Sequence, residues 1–106
     1  MKHPSRAILK AIERNFHEVI RGRVALLHEP PANLKLPRLD ETTPTTEDER
    51  AWFPVPGMCG GFAYWLDLTS EPPKLISESW CRVCEGSGER HEIDTAGSKL
   101  VAEGFV

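Results

Sequence analysis

Ile8, Ile12, Phe16, Val19 and Ile20 recur at helical spacing near the start of the chain, forming one stripe of a 3.6-residue repeat. The pattern predicts a helix over 5–21. Ser5 is its N-cap, since a serine hydroxyl accepts from first-turn amides, and Gly22 supplies a left-handed stop. Arg6, Lys10 and Arg14 lie four apart on the opposite side, and Glu13 with His17 and Arg14 with Glu18 are spaced to pair across one turn. Val24 to Leu27 is an apolar run too short to separate a strand from a helical turn. Pro30 and Pro31 end it. Pro37, Pro44, Pro54 and Pro56 follow, among threonines and acids, and proline both lacks an amide donor and biases its predecessor away from helix. Residues 30–56 are therefore expected to be a long irregular connection. Within it, Thr46-Glu47-Asp48-Glu49 has capping-box spacing and predicts one helical turn over 47–52. A connection of this length in a small domain is usually functional or mobile.

After Gly57 the period changes from helical to alternating. Phe62, Tyr64, Leu66 and Leu68 alternate with Ala63, Trp65 and Asp67, the signature of a half-buried strand. Thr69 to Pro73 make a turn. A second strand then places its serines on one parity and Ile76, Glu78 and Trp80 on the other. Gly86-Ser87-Gly88 turns the chain again, and Glu89 to Ile93 return as a third strand. Thr95 is placed to cap a helix carrying Leu100 and Val101. The expected fold is a single α+β domain over 1–106. Its β-meander (60–93) has three antiparallel strands, 60–68, 74–83 and 88–93, packed on helix 5–21 and helix 95–103.

Composition places this pattern in an ordinary globular class. Of the 106 residues, 40% are hydrophobic and 27% charged, which excludes wholesale disorder. No apolar run approaches the length of about 20 residues needed to span a bilayer, so no membrane partner is expected. Met1 to Arg6 lead into an amphipathic pattern, which speaks against a secretory signal peptide, and the cytoplasm is the expected compartment. The net charge of −3 is uneven: residues 1–28 carry six Lys/Arg against two Glu. The rest is acidic, which argues against nucleic acid as a partner.

The three cysteines are Cys59, Cys81 and Cys84. With His91 they make a complete Cys₃His set, a ligand mixture that zinc accepts. Cys81 to Gly88 reads C-x-x-C-x-G-x-G and resembles the cysteine repeat of DnaJ-type co-chaperone zinc domains, in which two copies jointly hold each metal. Here the repeat occurs once, over eight residues. If the strand from Leu75 stays extended through Cys84, the two thiols point to opposite faces, and they then act as small semi-buried hydrophobes. No cofactor is expected on that reading, and zinc is the alternative. A redox pair would need a helix start, where the dipole lowers a thiol pKa. Asp94 to Leu100 is similar to the strand-to-helix exit after the wing of winged-helix transcription regulators, but no recognition-helix pattern precedes it.

The remaining candidates are aromatic. If Phe62, Tyr64, Leu66 and Leu68 face the core, Trp65 faces the other way, together with Trp80. A surface built from Trp52, Phe53, Trp65 and Trp80, extended by Arg90 and His91, is the expected contact area for a protein or small-molecule partner. The competing arrangement folds Trp52 and Phe53 back over Trp65. A lesser alternative makes His91 the general base of a small enzyme, oriented by neighbouring acids. Oligomeric state is left open by the sequence.

Overall fold

The chain runs through one helix, α1 (Arg6–Val24), a 3-10 turn (Glu47–Glu49) and five strands. The strands are β1 (Ala51–Pro54), β2 (Gly60–Asp67), β3 (Lys74–Cys81), β4 (Glu89–Ile93) and β5 (Ser98–Glu103). They form one antiparallel sheet in the order β1-β2-β3-β4-β5. The structure, a computed structural model, describes residues 3–57, 60–81 and 88–104.

This architecture corrects the expected fold. The meander has five strands rather than three, and a single helix packs on it. The expected helix over 95–103 is instead β5. Its N-cap signal at Thr95 belongs to a turn: Asp94 Oδ1 accepts the amides of Ala96 and Gly97 at 2.8 and 3.1 Å, and the Asp94 amide donates to Gly97 O at 2.9 Å. Gly97 has φ +150°, a conformation open to a residue without Cβ. The chain thus reverses directly onto β4. The other added strand, β1, lies inside the proline-rich connection. As an edge strand it tolerates Pro54, which pairs with Gly61.

Helix α1 also differs at its end. It continues through Gly22 to Val24 and is capped at Ala25. Val24 lies one turn beyond Ile20 and is buried with Leu9, Ile12, Phe16 and Ile20, so packing of that stripe overrides the local stop signal. The stripe sits on Phe62, Tyr64 and Leu66 of β2, Leu75 of β3 and Ile93 of β4. Phe16 meets Phe62 edge-on at 6.2 Å and Tyr64 at 5.0 Å between ring centroids. A radius of gyration of 13.3 Å is that of one compact domain of this length.

Residues 30–46 form no helix or strand, yet they are anchored along α1. His17 Nε2 donates to Pro37 O at 2.6 Å, Glu13 Oε1 accepts the Leu39 amide at 2.8 Å, and His3 Nε2 donates to Thr43 O at 2.9 Å. Leu39 is buried in the core, and Leu34 and Leu36 pack against it. Glu13 and His17 thus hold this segment instead of pairing with each other, and Glu18 pairs with Arg21 rather than Arg14. The expected turn over 47–52 is shortened to Glu47–Glu49 because β1 begins at Ala51.

Two glycines differ in what they do. A Cβ on Gly61 would lie 2.2 Å from Phe53 O and 2.8 Å from Pro54 Cα, so only glycine lets β1 approach β2 this closely. A Cβ on Gly22 would meet nothing within 4 Å, while glycine inside a helix costs roughly 1 kcal/mol relative to alanine. Gly61→Ala is therefore expected to lower unfolding free energy by about 1–3 kcal/mol, and Gly22→Ala to raise it by up to about 1 kcal/mol. Urea titrations of the two variants measure both.

Candidate functional site

Strand parity divides the sheet into two faces with different chemistry. On the helix face lie Phe53, Phe62, Tyr64, Leu66, Leu75 and Ile93. On the other face, one register row carries Trp52, Ala63, Glu78, Arg90 and Ala102 across all five strands. The next row carries Trp65, Ile76, Glu92 and Lys99. No described helix covers this second face. The 3-10 turn, Glu47–Glu49, packs near β2.

The open face is nonetheless well built. Ala63, Trp65, Ile76 and Glu78 are all buried. The Arg90 guanidinium lies 5.8 Å from the Trp65 ring centroid, in range for a cation–π contact. The same side chain holds Glu78 at 3.2 Å, so one arginine caps an indole and pairs a buried acid. Burial raises the Glu78 pKa above its ordinary value; Arg90 and, more weakly, Arg50 oppose this, while Glu47 adds to it. Beside them Lys74 and Glu92 form a second ion pair. Trp52, at the β1 edge of the row, is 50% exposed.

The sequence-derived surface is therefore split by the structure. Trp52, Trp65, Trp80 and Arg90 share the open face by register, Trp65 being buried and Trp80 half-buried. Phe53 packs against the core on the opposite face. His91 also faces the helix side, opposite Ser77 on β3 and Leu100 on β5. Glu78 was the member that pattern reasoning missed: it sat among Ile76 and Trp80 at a position whose parity marked it as a face partner of Arg90 once the hairpin register was known.

His91 borders a cavity of about 290 Å³ between the end of α1 and the β4–β5 hairpin. Burial lowers its pKa, and the Glu89 carboxylate acts in the opposite direction. Glu89 itself is engaged with Arg23 at 3.4 Å. The neighbouring Ser77 hydroxyl is buried, and no partner for it lies among the described residues. At 1% exposure Ser77 is out of reach of a substrate, so the pair does not make a hydrolytic nucleophile and base.

Of the cysteines, Cys59 and Cys84 lie outside the described residues, as does the expected extension of the strand beyond Cys81. Cys81 ends β3 and pairs with Gly60. His91 pairs with Ser77, four residues back along β3, and at about 3.3 Å per residue the two backbones are about 13 Å apart along the sheet. A zinc ion shared by His91 and Cys81 would require β3 or β4 to leave this ladder. Among the described residues no group of three or more His, Cys, Asp and Glu is placed to hold a metal ion, and no helix is long and apolar enough to cross a membrane.

Compared with protein-family models, curated proteins and solved structures, the chain matches none. The functional reading rests on the geometry.

Glu78 gives this face a testable electrostatic signature. Because its folded-state pKa is raised, the folded protein holds a proton that the unfolded chain has already released above about pH 4.3. Stability from this group is then present at low pH and lost as pH rises from there through the higher folded-state value. Denaturation of wild type and Glu78→Gln across acidic to neutral pH should show the wild type losing stability relative to the variant through that window.

Proposed function

We propose that this chain is a small binding module that contacts a protein partner through the open face of its sheet. The observation that carries this reading is Trp52, 50% exposed at the edge of a face that no described helix covers. Its row continues through buried Ala63 to the Glu78–Arg90 pair. Trp and Arg are the side chains most often found to dominate binding energy. The surroundings favour that role: Arg90 is held between Trp65 and Glu78, so little side-chain freedom is left to lose on association. The face carries charges of both signs, with Glu78 paired to Arg90, Lys74 to Glu92 and Lys99 beside them, which suits a mixed polar and aromatic partner surface.

The test compares affinity-tagged wild type, Trp52→Ala and Leu26→Ala, the last removing an exposed leucine remote from the row. All three are expected to melt within a few degrees of one another. A protein retained from a lysate of the source cells by wild type and Leu26→Ala, but lost with Trp52→Ala, is the expected result. Equal retention by all three variants, or none by wild type, rejects the proposal.

A further inference from the structure

The helix side of the sheet carries a second site, independent of the open face. Where α1 ends over β4 and β5, an open depression of about 290 Å³ is lined by Val19, Gly22 and Leu26, by the charged Glu18 and Arg23 of the helix, and by Glu89, His91 and Ser98 from the strands. It is shallow, with Glu18, Gly22, Leu26 and Ser98 exposed, and its volume lies just under the range of about 300–1,000 Å³ usual for small-molecule sites. Three observations say what it would take.

The first is Gly22. This glycine interrupts a good helix, needs no unusual backbone conformation and faces no atom that a Cβ would strike. Neither packing nor turn geometry accounts for it. It is exposed and borders the same depression as His91. The second is His91 itself. It is half-buried, and neither ring nitrogen bonds a described residue, so a donor and an acceptor stand ready at the cavity wall. Burial favours the neutral ring. The third is charge. The carboxylates at the rim are already paired, Glu18 with Arg21 at 3.2 Å and Glu89 with Arg23 at 3.4 Å. A charged ligand would have to compete with an existing ion pair, whereas an uncharged one would not.

We infer that this cavity binds a small uncharged molecule with an apolar body and one hydroxyl, the body lying against Val19 and Leu26 over Gly22 and the hydroxyl bonding His91. Leu26 is 77% exposed, so the edge of the depression offers apolar surface that such a body would cover.

Phenol is the probe, with benzoate and benzylamine as its anionic and cationic counterparts. Proton–carbon spectra of protein labelled at histidine and leucine follow the His91 ring and the Leu26 methyls, with His91→Gln assigning the ring signals. Phenol is expected to shift both sets saturably, in the millimolar range suited to so small a ligand. The two charged probes should bind at least about tenfold more weakly. Gly22→Leu, which fills the cavity from the helix, should abolish the phenol shifts while the circular dichroism and melting temperature hold. Ser98→Leu, which fills it from β5, repeats the test should Gly22→Leu fail to fold. Absence of saturable shifts in wild type, equal binding of the charged probes, or undiminished phenol binding in a folded cavity-filling variant overturns the inference.

Discussion

Phe16 packs edge-on against Phe62 and close against Tyr64, and this ring cluster sets where everything else can lie. Each such aromatic pair adds about 0.5–1.5 kcal/mol beyond the area it buries. More important is its location. Its rings tie the middle of α1 to β2 by side-chain contact, while the helix backbone lies nearest β3, β4 and β5 and Asn15, also mid-helix, bonds the β4–β5 turn. The fully buried residues Ile12, Phe16, Ile20, Phe62, Leu66, Leu75 and Ile93 mark the covered zone. The depression beside His91 lies at the end of α1. No second described helix packs on the face of Trp52 and Arg90, where Ala63, Trp65, Ile76 and Glu78 are nonetheless buried and Trp52 stays half exposed.

The polar side of α1 extends the same framework. An isolated amphipathic helix would present Glu13 and His17 to water. Here they bind backbone groups at Leu39 and Pro37, while Asn15 Nδ2 donates to Asp94 O at 2.8 Å. One helix therefore organises the sheet through its apolar stripe, the proline-rich segment through a carboxylate and an imidazole, and the β4–β5 turn through an amide. A proline-rich stretch has few amides to satisfy, so a handful of such bonds can hold it in place without regular structure.

Periodicity made the middle of the fold legible. The alternation from Phe62 to Leu66 and the glycine and proline boundaries placed β2, β3 and β4 nearly where they lie, with the helix stripe beside them. Both ends of the sheet were harder to read, for different reasons. At β1 four residues are too few for a period, and Pro54 argued for a loop. At β5 Leu100 and Val101 are adjacent apolar residues, which alternation does not produce, and Thr95 offered a plausible cap. The Asp94–Gly97 turn was the overlooked signal. The candidate surface is legible only as far as parity carries: strand register puts Trp65 and Trp80 on one face, while Arg90 and His91 are neighbours in sequence and so belong to opposite faces. The approach of Arg90 to Trp65, 5.8 Å from its ring centroid, joins residues far apart in sequence, which no local pattern encodes.

The pairing of β4 with β5 shifts register between Arg90 and His91: Arg90 faces Ala102 while His91 faces Leu100, leaving Val101 as an extra residue. Val101 is 48% exposed on the outermost strand. A straight strand at that border, carrying Leu100 and Val101, would offer another chain an uninterrupted template for fibril-like stacking. The inserted residue bends the border and throws successive backbone groups out of step, with Lys99 and Glu103 on either side as charged guards. One misfit in the ladder thereby helps keep neighbouring molecules apart.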